Sequence, residues 1–127
     1  MAVAYSTAVR TARMSALVTE AGANAKINFY NGTRPASGAA ITTQTLLATL
    51  TAGATLGSVT NGVLTLGAVT QNNANHANGT PTWVRITKSD DTFIADFSIP
   101  GDVSFTGTVA TGVDITLNAS TITEGNA

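Results

Sequence analysis

The residues able to move protons or hold metals are few in this chain, and they are scattered. His76 is the only histidine, and cysteine is absent, which excludes disulfides, thiolate metal sites and cysteine nucleophiles together. A general base or a metal ligand needs partners, yet the acid nearest to His76 in sequence is Asp90. The Asn-rich surroundings of His76 therefore predict a surface histidine. Asp90 and Asp91 adjoin in a polar turn, where turn chemistry accounts for them and no twelve-residue calcium loop surrounds them. Asp96, Asp102 and Asp114 fall at strand ends or outward positions, and a carboxylate pair of the glycosidase kind is the one acid–base arrangement left open. No phosphate-binding glycine loop, dinucleotide fingerprint or nucleophile-elbow serine occurs. The reading is a non-enzymatic chain with no catalytic residue, no cofactor and no metal ligand.

The elements that position these residues are mostly strands. A chain of 127 residues is one domain by length, and one large enough to bury a core alone. Residues 5–21 form the one expected helix, with Ser6 as N-cap and Gly22 as left-handed C-cap. Tyr5, Val9, Ala12, Ala16 and Leu17 recur on one face, an Ala-rich stripe suited to close packing on a sheet or a neighbouring helix. Arg10 and Arg13 lie off that stripe and are expected to face solvent or a partner.

From residue 26 to 123 the period changes to two, which predicts a β-sandwich. Ile27 and Phe29 alternate with Lys26, Asn28 and Tyr30, before a turn at Asn31-Gly32 and a loop through Arg34-Pro35 and Ser37-Gly38. Residues 46–51 read as a second strand. Asn61-Gly62 predicts a two-residue hairpin pairing Thr60 with Val63 and Ser58 with Thr65. Residues 70–80 hold only Gln, Asn, Ala, His, Gly and Thr, and are expected to be an exposed loop.

A further hairpin is expected from residues 82–87 and 92–99 about a turn at 88–91. It sets Val84 and Ile86 against Ala95 and Phe93 inside, with Trp83 beside Asp96 and Arg85 diagonal to Asp96 outside. Pro100-Gly101 breaks the run, and strands follow at 103–106 and 113–117, with Val113, Ile115 and Leu117 inward. A short strand at 121–123 precedes a polar tail. Many short strands with Gly- and Asn-rich turns define a mainly β fold, an antiparallel β-sandwich or jelly-roll-like domain carrying one N-terminal α-helix.

Composition bounds the partners. Charged residues make up 10% of the chain against about 25% in ordinary globular proteins, while the apolar share is 43%. Hydroxyls and amides leave water at lower cost than charges, so such a surface suits protein–protein contact. The net charge of −1 argues against nucleic acid and a polybasic membrane patch, and no run has the length of a membrane span. Arg10 and Arg13 interrupt any signal-peptide core. Trp83, the one tryptophan, has two readings: an exposed interface anchor, or part of a second core layer. Candidate interface residues are Trp83, Arg85, Asp96, Arg10, Arg13, Tyr30 and Arg34.

A resemblance runs along the chain. It begins with the Ala-rich helix and Ile-Asn-Phe-Tyr-Asn-Gly-Thr-Arg-Pro-Ala at 27–36. Leu-Leu-Ala-Thr-Leu at 46–50, Thr-Trp-Val-Arg-Ile at 82–86 and Ile-Thr-Glu-Gly-Asn at 122–126 continue it. With these segments the chain resembles small β-rich virion structural proteins of tailed bacteriophages. It departs from them after Leu117, where a fuller final strand is expected. The resemblance implies a particle component without a cofactor, located in the virion. The leading role is a capsid cement or decoration protein bridging major capsid protein subunits as a homo-oligomer, a dimer or trimer. A tail or head–tail connector ring is the alternative within a virion. A host-adhesion or carbohydrate-binding module with Trp83 as its platform is the alternative of another class.

Overall fold

The computed structural model describes residues 5–36, 38–99, 101–105, 107–115 and 120–123. The expectations for Ser37, Pro100, Thr106, Leu117, Asn118 and the tail from Glu124 lie outside the described residues. Among the described residues the fold is mainly β, with one helix near the N-terminus and two antiparallel sheets. Helix α1 (Thr7–Ala21) leads into β1 (Lys26–Tyr30), β2 (Leu46–Ala52), β3 (Gly57–Thr60), β4 (Val63–Leu66) and β5 (Val69–Gln71). A 3-10 turn at Asn73–Asn75 precedes β6 (Trp83–Thr87), β7 (Phe93–Ser98) and β8 (Thr121–Thr123). One sheet has the order β5-β2-β1-β6-β7 and the other β3-β4-β8. The chain thus leaves the larger sheet after β2, builds a hairpin in the smaller one, and returns beside β2. Ile27, Phe29, Leu50 and Ile86 of the larger sheet share one core with Leu64, Leu66 and Ile122 of the smaller. Phe29 meets Phe105 edge to face at 5.2 Å between ring centres.

The helix has the expected caps: Ser6 Oγ accepts from the Val9 amide at 3.2 Å, and Gly22 has φ +71°. Its buried face is a correction. Met14 and Ala21 are buried, with Leu17 and Val18 partly so, while Tyr5, Val9, Ala12 and Ala16 are exposed. Of the expected stripe only Leu17 packs inward; the docked side runs through it with Met14, Val18 and Ala21, larger side chains that remove more apolar area from water than Ala12 and Ala16 would. Arg10, expected outside, is half-buried on the docking side. A Cβ at Gly62 would come within 2.9 Å of Arg10 Cβ, and the Gly62 amide donates to Thr11 Oγ1 at 2.9 Å. The hairpin turn and the helix therefore lock together, which requires glycine at 62 for its φ of +77° as well as for space.

The Asn61-Gly62 hairpin has the predicted register, Thr60 opposite Val63 and Ser58 opposite Thr65. The β6–β7 hairpin is shifted by two positions from the expected pairing. Arg85 faces Asp96, Trp83 faces Ser98 and Val84 faces Phe97, with an irregularity between Ile86 and Thr87. Asp91 adopts φ +71° and the Lys88 amide donates to the Thr92 carbonyl, so the turn is deeper and the strands pair further out. A shift of two keeps each residue on its face. Phe93 and Ile94 are the exceptions: the irregularity sends Phe93 to the outer face over Arg85, and Ile94, expected on that outer face beside Arg85, packs against the core.

Three further expectations are corrected. Residues 70–80 are not a free loop: Val69–Gln71 pairs with β2, and His76 is only 4% exposed. Residues 103–105 run beside β8 through a single bridge, Val103 to Ile122, and form no full strand. Val113 is 58% exposed although its neighbour-but-one Ile115 is buried. A turn at 111–112, where Gly112 has φ +81°, replaces the strand start. Side-chain amides then do the work of a ladder. Gln71 accepts from the Ile115 amide at 2.7 Å and donates to the Ile115 carbonyl at 2.8 Å. Asn73 donates to Asp114 at 2.7 Å, and Asn78 accepts from the Thr111 amide at 3.0 Å. Buried backbone groups need partners, and here Asn and Gln supply them without a core-forming side chain.

Candidate functional site: the outer face of the five-stranded sheet

The outer face of the larger sheet carries the polar half of each alternating strand. Lys26, Asn28 and Tyr30 of β1 stand between Thr51, Thr49 and Leu46 of β2 and Thr87, Arg85 and Trp83 of β6. On this face four of the expected interface residues come together, and they do so as an internal stack. Trp83 is fully buried, its ring lies 4.5 Å from that of Tyr30 at 12°, and its Nε1 donates to the Asn31 carbonyl at 3.2 Å. The Arg85 guanidinium sits between the rings of Trp83 at 5.4 Å and Phe93 at 5.2 Å. Its Nε donates to Asp96 Oδ1 at 2.7 Å and its Nη2 to Oδ2 at 2.9 Å, a two-pronged pair.

The connection between β1 and β2 closes over this stack. Arg85 Nη2 also donates to the Ala39 carbonyl at 2.9 Å, and the Gly38 amide donates to Asp96 Oδ2 at 3.3 Å. A Cβ at Gly38 would meet the Phe93 ring at 3.2 Å, so only glycine, with its φ of +74°, lets the loop lie so close. The Asp96 side chain is left with no exposed surface and that of Arg85 with 11%. Trp83, Arg85 and Asp96 thus hold a loop and are not free to anchor a partner, which corrects the exposed reading of Trp83 and leaves its buried one. The hydrogen bonds and charge of Asp96 raise the pKa of Arg85 further above its usual range, against desolvation. Burial raises the Tyr30 hydroxyl above its ordinary value, opposed by the charge of Arg85.

The remaining expected residues are apart from this face. Arg13 lies over the Tyr5 ring at 4.7 Å, and Arg34 is exposed in the β1–β2 loop. Arg10 Nη2 donates to Thr7 Oγ1 at 3.2 Å, while its buried Nε has no partner among the described residues.

Beside the stack two hollows open. One, about 370 Å3, is lined by Lys26, Asn28, Tyr30, Leu46, Thr49, Arg85, Thr87 and Asp91. The other, about 210 Å3, is lined by residues 46–49, Asn72, Asn75 and His76. They share Leu46 and Thr49 as a common wall. Of these the sequence placed only Tyr30 and Arg85 among the interface candidates, and it weighed His76 and Asp91 only to set them aside; the bland composition of Asn and Thr hid the rest.

His76 is held by its Nδ1, 3.1 Å from the Val113 carbonyl. A carbonyl only accepts, so Nδ1 carries the proton, and in the neutral ring Nε2 is an acceptor. That Nε2 is buried without a partner among the described residues. Such an atom costs about 1–3 kcal/mol. Thr87 Oγ1, in the wall of the larger hollow, is in the same condition. Among the described residues no group of three His, Cys, Asp or Glu side chains gathers in metal-binding reach. The carboxylate pair considered for Asp96, Asp102 and Asp114 does not form a shared site: Asp96 is taken by Arg85, Asp102 accepts from the Ser98 amide, and Asp114 accepts from Asn73.

At the rim, Lys26 Nζ donates to Asp91 at 2.7 Å, and Asp90 accepts from the Thr92 amide at 3.0 Å. Hydrogen bonds from Thr92 hold the Asp90 carboxyl below the usual carboxylate range. A carboxyl with a depressed folded pKa contributes stability that is present above its unfolded value and lost as pH falls through the folded one. Acid unfolding is therefore expected to steepen below the ordinary carboxylate pKa, and Asp90→Ala is expected to flatten that acid limb in denaturant titrations at stepped pH. An unchanged acid limb in the variant would remove Asp90 from the account.

Comparison with protein-family models, with curated proteins and with solved structures finds no match to this chain. The site is accordingly read from its own chemistry.

Proposed function

We propose that the chain is a structural protein of a tailed-phage virion, a capsid cement or decoration protein that bridges major capsid protein subunits and performs no reaction. The observation that supports this reading is the outward face of α1. Tyr5, Val9, Ala12 and Ala16 lie exposed on a helix whose opposite side is already docked through Met14 and Ala21. From Tyr5 to Ala16 the one exposed charge is Arg13, which lies over Tyr5. A rigid helix with a small-residue apolar face permits close approach of a partner surface, and the low overall charge keeps the cost of desolvation small. The resemblance to virion proteins supplies the particle, and a homo-oligomeric bridge is the form it implies.

The test is binding of the purified chain to expanded capsid shells, alongside its mass in solution across a concentration series. Val9→Glu combined with Ala16→Glu is expected to weaken shell binding on the order of 100-fold by burying unpaired charges, with the denaturation midpoint unchanged. Binding of the parent chain is expected to persist in roughly 1 M salt, where charge pairs are screened within about 3 Å. Hexameric rings would move the assignment to the tail. Shell binding untouched by the double substitution would remove the helix face from the interface.

A further inference from the structure

The two hollows on the outer sheet face have a lining that the assembly role does not use. We infer that together they form one binding groove for a neutral, polyhydroxylated ligand of the oligosaccharide class. Three features carry this. Each hollow has in its wall a side chain more than nine-tenths buried with a polar atom that has no partner among the described residues, His76 Nε2 in one and Thr87 Oγ1 in the other. The two hollows meet at Leu46 and Thr49, so a chain of linked rings can occupy both.

The charges around the groove are neutralised among themselves. Lys26 is paired with Asp91 and Arg85 with Asp96, so an anionic or cationic ligand finds no free counter-charge there. What the groove does present is the Asn72 and Asn75 side-chain amides, together with Asn28 and Thr49, and the half-buried Tyr30 at one edge. Asn28 and Thr49 are bonded to each other, and Asn28 to the Arg85 carbonyl, but they keep spare acceptor capacity. Trp83 stacks on one face of the Tyr30 ring at 4.5 Å and 12°. Sugar hydroxyls donate and accept as these side chains require, and the C–H face of a sugar ring suits the negative face of an aromatic. The exposed Leu46 supplies the apolar ridge between the two positions.

This groove is independent of the helix face and stands or falls separately from the assembly role. The experiment is a backbone amide NMR titration of the full chain with maltohexaose, cellohexaose, chitohexaose and mannohexaose, with heparin as the anionic comparison. At least one neutral oligosaccharide is expected to give saturable shifts at Thr49, Asn75, His76 and Thr87. Asn75→Ala and Leu46→Ser, both at exposed positions, are expected to weaken that binding about tenfold each while leaving the rest of the spectrum in place, the loss of roughly one well-made contact apiece. No saturable shift with any neutral member, shifts confined to other surfaces, or binding only to heparin with loss at moderate salt would each overturn the inference. Binding unaffected by both substitutions would do the same.

Discussion

Asp96→Ala is expected to destabilise the protein by about 3–5 kcal/mol, because it leaves the Arg85 guanidinium buried without its counter-charge. The loss is large against the roughly 5–15 kcal/mol that holds a domain of this kind together. Its origin is specific. Arg85 is enclosed by Trp83 and Phe93 and cannot turn to water without breaking the aromatic stack. Asp96 also accepts from Gly38, so the same substitution releases the loop that covers the pair. Guanidinium chloride titration of the variant checks this through a lowered midpoint, and amide exchange at residues 38–41 is expected to accelerate. Replacing both partners, as Arg85→Leu with Asp96→Leu, is expected to recover most of the loss, since a buried pair is often no better than an apolar one of similar volume. A cost under about 1 kcal/mol for Asp96→Ala would mean that the pair behaves as a surface one.

Trp83→Ala carries the second large effect, also about 3–5 kcal/mol, from lost burial and the cavity left beneath Tyr30. Trp83→Phe keeps a ring against Tyr30 but loses the donor to Asn31, and is expected to cost about 1 kcal/mol beyond its smaller volume. The one tryptophan makes the readout direct. Its fluorescence is expected to be blue-shifted and protected from acrylamide in the native protein, then to shift red in one step with loss of the sheet. An emission already red and freely quenched would restore Trp83 to the surface. So would a Trp83→Ala variant of unchanged midpoint that had lost only a binding partner.

The exposed half of α1 and the buried stack under the β1–β2 loop exchange the roles expected of them, and the exchange has a physical basis. Periodicity reports which residues share a side, and Tyr5, Val9, Ala12 and Ala16 do share one. It does not weigh that side against a competing stripe a fraction of a turn away. Met14, Leu17, Val18 and Ala21 win because they bury more apolar area. In the strands, alternation likewise placed Trp83, Arg85 and Asp96 together on the face away from Val84 and Ile86. Whether that face is wet depends on Gly38 and Ala39 folding back over it, and the approach of Gly38 to Phe93 is a long-range fact.

Local chemistry was legible throughout. The caps at Ser6 and Gly22, the hairpin at Asn61-Gly62 with its register, and β1, β2 and β6 follow from side-chain preference within a few residues, which a sequence states directly. The segments misread were those whose backbone is satisfied by distant amides. Gln71 pairing with the Ile115 backbone and Asn78 with the Thr111 amide tie a polar tract to a distant segment, and no period of two or of 3.6 records such partners. His76 is buried for the same reason. The amino-acid sequence by itself determined the class of fold, the turn positions and the scarcity of charge. Only the tertiary structure decided which polar residues are enclosed and which apolar ones are left outside, because burial is settled between segments far apart in the chain.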